Sequence, residues 1–138
     1  MANILVVQDV EENILEMKLS LEQSGHNLFV SHSVDSAITL LNATSFDLLI
    51  CAVYLKSSNV FDLLKFVKSD PERRHLTFVF FCCSPKDIAE YASRTIRNTA
   101  IILGANKYIT HAEFDAIRFR TEIESLLPDA KQTISNKL

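Results

Sequence analysis

The ten residues FDLLICAVYL, Phe46 to Leu55, decide how this chain is read. Within them DLLICA, Asp47 to Ala52, is too short for a stable helix, and past Asp47 it is apolar at every position. A strand that buries only one face alternates apolar with polar residues; a run without alternation belongs to a parallel strand covered on both faces. In such a sheet the functional crevice lies at the carboxyl ends of the strands. The residue at that end of this run is Ala52.

Runs of the same kind recur along the chain. NILVV (Asn3 to Val7), NLFVSH (Asn27 to His32), TFVFFC (Thr77 to Cys82) and KYIT (Lys107 to Thr110) join DLLICA to make five, each followed by a helical period. Ile14, Met17 and Leu21 mark the first helix, and Val34, Ala37, Ile38 and Leu41 the second, with Ser33 as N-cap. Val60, Phe61, Leu64 and Val67 mark the third, which stops at SDP, Ser69 to Pro71, because a proline disfavours the α region just before it. Ile88, Ala92, Ile96, Thr99 and Leu103 mark the fourth, entered through Ser84 and Pro85. Phe119, Ile123 and Leu126 mark the fifth, stopped near Pro128. The only two glycines, Gly25 and Gly104, follow the first and fourth helices, where a chain turning toward a strand favours left-handed dihedrals. Alternation of strand and helix, repeated five times with short links, predicts a doubly wound α/β sheet with helices on both faces. The strand ends then carry Gln8 and Asp9, Ala52 and Val53, Cys82 and Cys83, and His111.

Composition narrows the function. The 138 residues suit one domain, with 1–127 as its body and 128–138 as a tail with little to bury, serving as a flexible end or linker. A net charge of −3, with Lys and Arg scattered, gives no footprint for nucleic acid or an anionic membrane. No signal-peptide pattern opens MANILVVQDV and no apolar run reaches membrane length, so a cytoplasmic protein is expected. The three cysteines, Cys51, Cys82 and Cys83, sit in apolar runs without metal-ligand spacing. The first strand–helix turn, VVQDVEEN, holds no glycine and none of the hydroxyl-rich phosphate loop of a flavin or nucleotide binder.

Taken in order, ILVVQDVEEN, FDLLICAVYL, VFDLLKFVKSDPERRHLTFVFF and LGANKYIT resemble the receiver domain of two-component response regulators, from about Ile4 to Leu127. The resemblance implies the flavodoxin-like (CheY-like) fold, a five-stranded parallel sheet in strand order 2-1-3-4-5. It also identifies the positions at which the receiver's phosphoryl chemistry is housed, and most are altered. The acidic pair that holds magnesium is Gln8 and Asp9; the phosphoacceptor aspartate is Ala52, whose methyl group neither attacks phosphorus nor coordinates a metal. The hydroxyl residue after the fourth strand is Cys82, the lysine after the fifth is His111, and the cis-proline that follows it is Ala112. Asp47 is no substitute: five residues upstream at about 3.3 Å each, it lies roughly 16 Å away at the other end of the strand. Glu11 and Glu12 read as solvated residues of a first helical turn. No magnesium site, no cofactor and no catalysis are expected.

Function then moves to the surface through which receivers signal: fourth helix, fifth strand, fifth helix. Tyr108 matches the receiver aromatic that turns inward or outward, and is read either as interface or as a strand tyrosine with its hydroxyl at the surface. The segment from Cys82 to Gly104 exceeds the receiver length by about seven residues, some two turns of helix. It is read either as a lengthened helix or as a helix with an extra loop near Arg97 to Thr99. Arg94 and Arg97 are the expected contact residues there. The reading is a pseudo-receiver that binds another protein of a signalling pathway independently of phosphorylation, with dimerisation through that face compatible with it. Two alternatives stand beside it: a redox or small-molecule sensor in which Asp9, Cys82 and His111 share the vacated pocket, and the receiver module of a larger response regulator.

Overall fold

The computed structural model describes residues 2–56, 58–83 and 90–127, and of residues 90–93 the backbone alone. Each apolar run becomes a strand: β1 (Asn3–Val7), β2 (Asn27–Ser31), β3 (Leu48–Ala52), β4 (Thr77–Cys83) and β5 (Lys107–His111). Helices α1 (Glu11–Glu22), α2 (Val34–Ala43), α3 (Val60–Ser69), α4 (Glu90–Ile102) and α5 (Ala116–Glu124) alternate with them. All strand pairs are parallel, in the order β2-β1-β3-β4-β5. This is the doubly wound arrangement expected from the sequence.

In β1, β3 and β4 the absence of alternation has the expected cause: both sets of side chains are buried, in two separate cores, whereas the edge strand β2 is only partly buried. Leu5, Leu49, Phe78 and Phe80 pack with Ala37, Leu63, Leu64 and Ala100 of α2, α3 and α4. Ile4, Ile50, Val79 and Phe81 pack with Met17, Leu21, Phe119 and Ile123 of α1 and α5. Burying each large side chain contributes about 1.5–3 kcal/mol, so the strand sequence holds helices on both sides at once.

Local signals set the helix ends. Ser33 accepts from the Ser36 amide and Asn59 from the Phe61 amide at the starts of α2 and α3. Gly25 and Gly104 take φ of +83° and +110°. Gly104 is constrained a second time, since a Cβ there would stand 3.2 Å from Cγ of Lys68. That lysine's Nζ donates to the Leu76 carbonyl at 2.8 Å and to Asn106 Oδ1 at 2.9 Å, tying the turn before β5 to the end of α3. Burial lowers the Lys68 pKa, and these acceptors hold the ammonium it leaves less hydrated.

Some expectations need correction. Strand β2 stops before His32, whose exposed ring reaches toward Glu11, while β4 and β5 run one residue further than the apolar runs, to Cys83 and His111. On α4 the core position is Ala100, and Thr99 is exposed with its hydroxyl returned to the Thr95 carbonyl. The helix runs unbroken through Arg97–Thr99, so the extra-loop reading of that stretch is set aside. Leu127 is buried beyond α5. None of the described peptide bonds is cis. The proposed cap at Ser84 and Pro85, Ile88, the stop at Pro128 and the tail lie outside the described residues.

Candidate functional site

At the carboxyl ends of the strands the polar groups of the first turn are turned upon the protein itself. The Gln8 side chain is buried, and its Oε1 accepts from the amides of Asp9 at 3.0 Å and Val10 at 3.1 Å. Those amides lead into α1, whose N-cap Val10 supplies no side-chain acceptor of its own. Gln8 therefore satisfies donors that the helix start leaves open. Asp9, half-buried, accepts at Oδ2 from the Lys56 amide at 2.9 Å, which draws the loop after β3 onto the loop after β1. Beneath them Ala52 is buried, registers against Phe81 and shares a core with Leu55 and Val60.

The expected convergence of Cys82 and His111 on Asp9 is not formed, and side-chain parity along the strands explains why. Cys82 registers with Thr110, and His111 with Cys83. Successive residues of a strand point to opposite faces, so Cys82 and His111 leave the sheet on opposite sides. His111 is fully buried on the α1–α5 side, where its ring meets Phe81 edge-on at 5.0 Å and lies near Phe114 and Phe119. Its Nδ1 accepts from the Asp115 amide at 3.4 Å, which leaves the ring proton on Nε2 to be donated to Glu122 Oε1 at 2.8 Å. His111 thus joins the end of β5 to α5 and does not face Asp9. Among the described residues no group of three His, Cys, Asp or Glu side chains is placed to hold a metal ion.

The thiols are kept protonated. Burial pushes the Cys82 thiol up, with Cys83 adding to the effect; burial, then Glu16 and Glu12, pushes up Cys83. Burial alone pushes Cys51 far above the usual thiol range. A reactive cysteine needs the opposite, a thiolate favoured by nearby positive charge.

On the expected output surface, Tyr108 is buried in the core of the α2–α4 side, so its ring is in the inward orientation. The Arg97 guanidinium lies 6.0 Å from the centre of that ring, at the helix surface, and Arg94 is exposed one turn earlier. Asp47 stands at the far end of β3, its carboxylate accepting from the Asn3 amide at 2.8 Å. A cleft of about 280 Å³ opens at that far end too, lined by Leu41, Phe46, Arg73 and Leu76 among others. Sequence reading missed the Lys56 amide, Glu122 and this cleft. An amide has no sequence signature, and Glu122 meets His111 from a different element.

No family model matches the sequence, and no curated protein does. Solved structures supply the comparison. The signal receiver domain of a signal transduction histidine kinase from Syntrophus aciditrophicus aligns at TM-score 0.79, with 20% identity over 95% of this chain and 93% of that one. The fold is that of receiver domains. The receiver domain of NtrX from Brucella abortus aligns at TM-score 0.76 with 24% identity over 90% and 97%, and the chemotaxis response regulator CheY4 of Vibrio cholerae at 0.76 with 15% over 92% and 99%. Among the described residues no helix is long and apolar enough to cross a membrane.

Proposed function

We propose that this receiver fold is a pseudo-receiver of the response-regulator superfamily, non-catalytic and independent of phosphorylation, which acts by binding another protein through α4, β5 and α5. The observation that carries the reading is Ala52, a buried methyl group at the carboxyl end of β3 where a nucleophile would have to stand. Oxygens near it already accept hydrogen bonds: Gln8 Oε1 from two amides and Asp9 Oδ2 from a third. Magnesium requires a near-octahedral shell of oxygen ligands, and this set does not fit it. Protonated thiols and the turning of His111 toward Glu122 argue against the redox-sensor alternative. The α4 surface offers what the strand ends lack, an exposed Arg94 and an Arg97 laid over Tyr108.

The test is intact-mass spectrometry after incubation with a small phosphodonor and magnesium. The expected result is an unchanged mass under conditions that modify a receiver bearing its aspartate. A phosphoryl adduct on the folded chain would remove the proposal.

A further inference from the structure

Two helices on opposite sides of the sheet carry exposed outer faces of differing charge. On α1, the glutamates are Glu11, Glu12, Glu16 and Glu22 against a single Lys18, and Leu15 and Leu19 beside them are 57% and 55% exposed. On α4, Arg94 and Arg97 follow a single acidic residue, Glu90 at the helix start, and accompany Ile101 and Ile102, which are 47% and 82% exposed. Among the described residues none of Glu12, Glu16, Glu22, Arg94 and Arg97 is in an ion pair, whereas Arg118 and Arg120 of α5 are matched within their own helix by Glu122 and Glu124. Single exposed apolar residues are ordinary on a protein surface. Their complementarity is the informative feature.

We infer that the α1 face of one copy docks on the α4 face of a second copy of this chain. Spacing sets the register. Glu12 and Leu19 are seven residues apart, as are Arg94 and Ile101. With the helices parallel, Glu12 meets Arg94 and Leu19 meets Ile101; with them antiparallel, Glu22 meets Arg94 and Leu15 meets Ile101, so the two faces match in either direction. Helices that cross between parallel strands all run the same way in one domain, so a parallel α1–α4 contact relates neighbouring copies by something close to a translation. Because α1 and α4 belong to opposite cores, the copies stack sheet face to sheet face. Such a contact is heterologous and does not close on itself, giving short open stacks in place of a symmetric dimer. The contact is small and charged at its edge, so it is weak and sensitive to salt. This inference deepens the proposed function by naming one occupant of α4.

Sedimentation velocity of the whole chain over a range of concentrations tests it. In low salt the weight-average coefficient should rise past that of a dimer, and high salt should abolish the rise. The variants Glu12→Arg/Glu16→Arg and Arg94→Glu/Arg97→Glu should each weaken association about tenfold or more, because like charges are then brought together. An equimolar mixture of the two should recover it, since each supplies the face the other has lost. A wild type that stays monomeric overturns the inference, as does a dimer that survives the α1 reversal and is lost only with the α4 reversal. If the wild type is monomeric and the α4 reversal still abolishes binding to a host protein, self-association fails while the proposed function stands.

Discussion

At the carboxyl ends of the strands Gln8, Asp9 and His111 are bound within the molecule, while on α1 and α4 several charged groups are in no ion pair among the described residues. Gln8 is used by the start of α1, Asp9 by the Lys56 amide and His111 by Glu122, and Ala52 has nothing to offer. Arg94 on α4, and Glu12 and Glu16 on α1, are in no ion pair among the described residues. Buried polar groups are costly unless satisfied, and once satisfied internally they are not available to a ligand. Exposed charges carry little stability and so are open to serve recognition. The difference separates what holds this fold from what it presents.

The separation is most severely tested where the strand-end cluster meets the core. Phe81→Ala removes the ring that contacts both His111 and Phe119 and should cost about 3–5 kcal/mol in urea denaturation. A cost near zero would mean that the cluster does not hold the fold. Glu122→Ala strips the acceptor from a fully buried His111 and should cost about 1–3 kcal/mol, with Glu122→Gln losing less because an acceptor remains. If both substitutions were neutral, the pair would not be structural.

Asp9→Ala releases the Lys56 amide, with an expected loss of about 0.5–1.5 kcal/mol and faster hydrogen exchange at that amide, while partner binding is unchanged. Loss of binding would place function back at the strand ends. The smallest effect comes from the thiols. Folding holds Cys82 and Cys83 protonated to higher pH than in the unfolded chain, so their contribution is full below the unfolded value of about 8.5 and is lost as pH rises above it. Denaturation at a series of pH values should show that decline, flattened when both cysteines are replaced by alanine.

Much of this was legible in the sequence, for physical reasons. The strands follow from unbroken apolar runs, and the helix ends from Ser33, Gly25 and Gly104, because each is a local property of the chain; the order of strands in the sheet is not local and was implied by the resemblance to receiver domains. The identity of Ala52 and its place at the end of β3 were legible too. The direction of His111 was not. It depends on side-chain parity at the end of an edge strand and on a glutamate of α5, neither of which the KYIT run displays. The Asp9–Lys56 bond was invisible because every residue but proline carries the same amide. The phase of α4 was misread at Thr99, which the period placed in the core and which is exposed, while Ala100 beside it is buried.

The central claim is that α4 acts without phosphoryl chemistry at Ala52. It is tested most directly by capturing the protein's partner in its native host and measuring affinity for wild type and Arg94→Glu/Arg97→Glu, each with and without phosphodonor and magnesium. The account predicts that the phosphodonor changes nothing and that the α4 reversal weakens binding about tenfold or more. Binding that rises with the phosphodonor and ignores the reversal would contradict it.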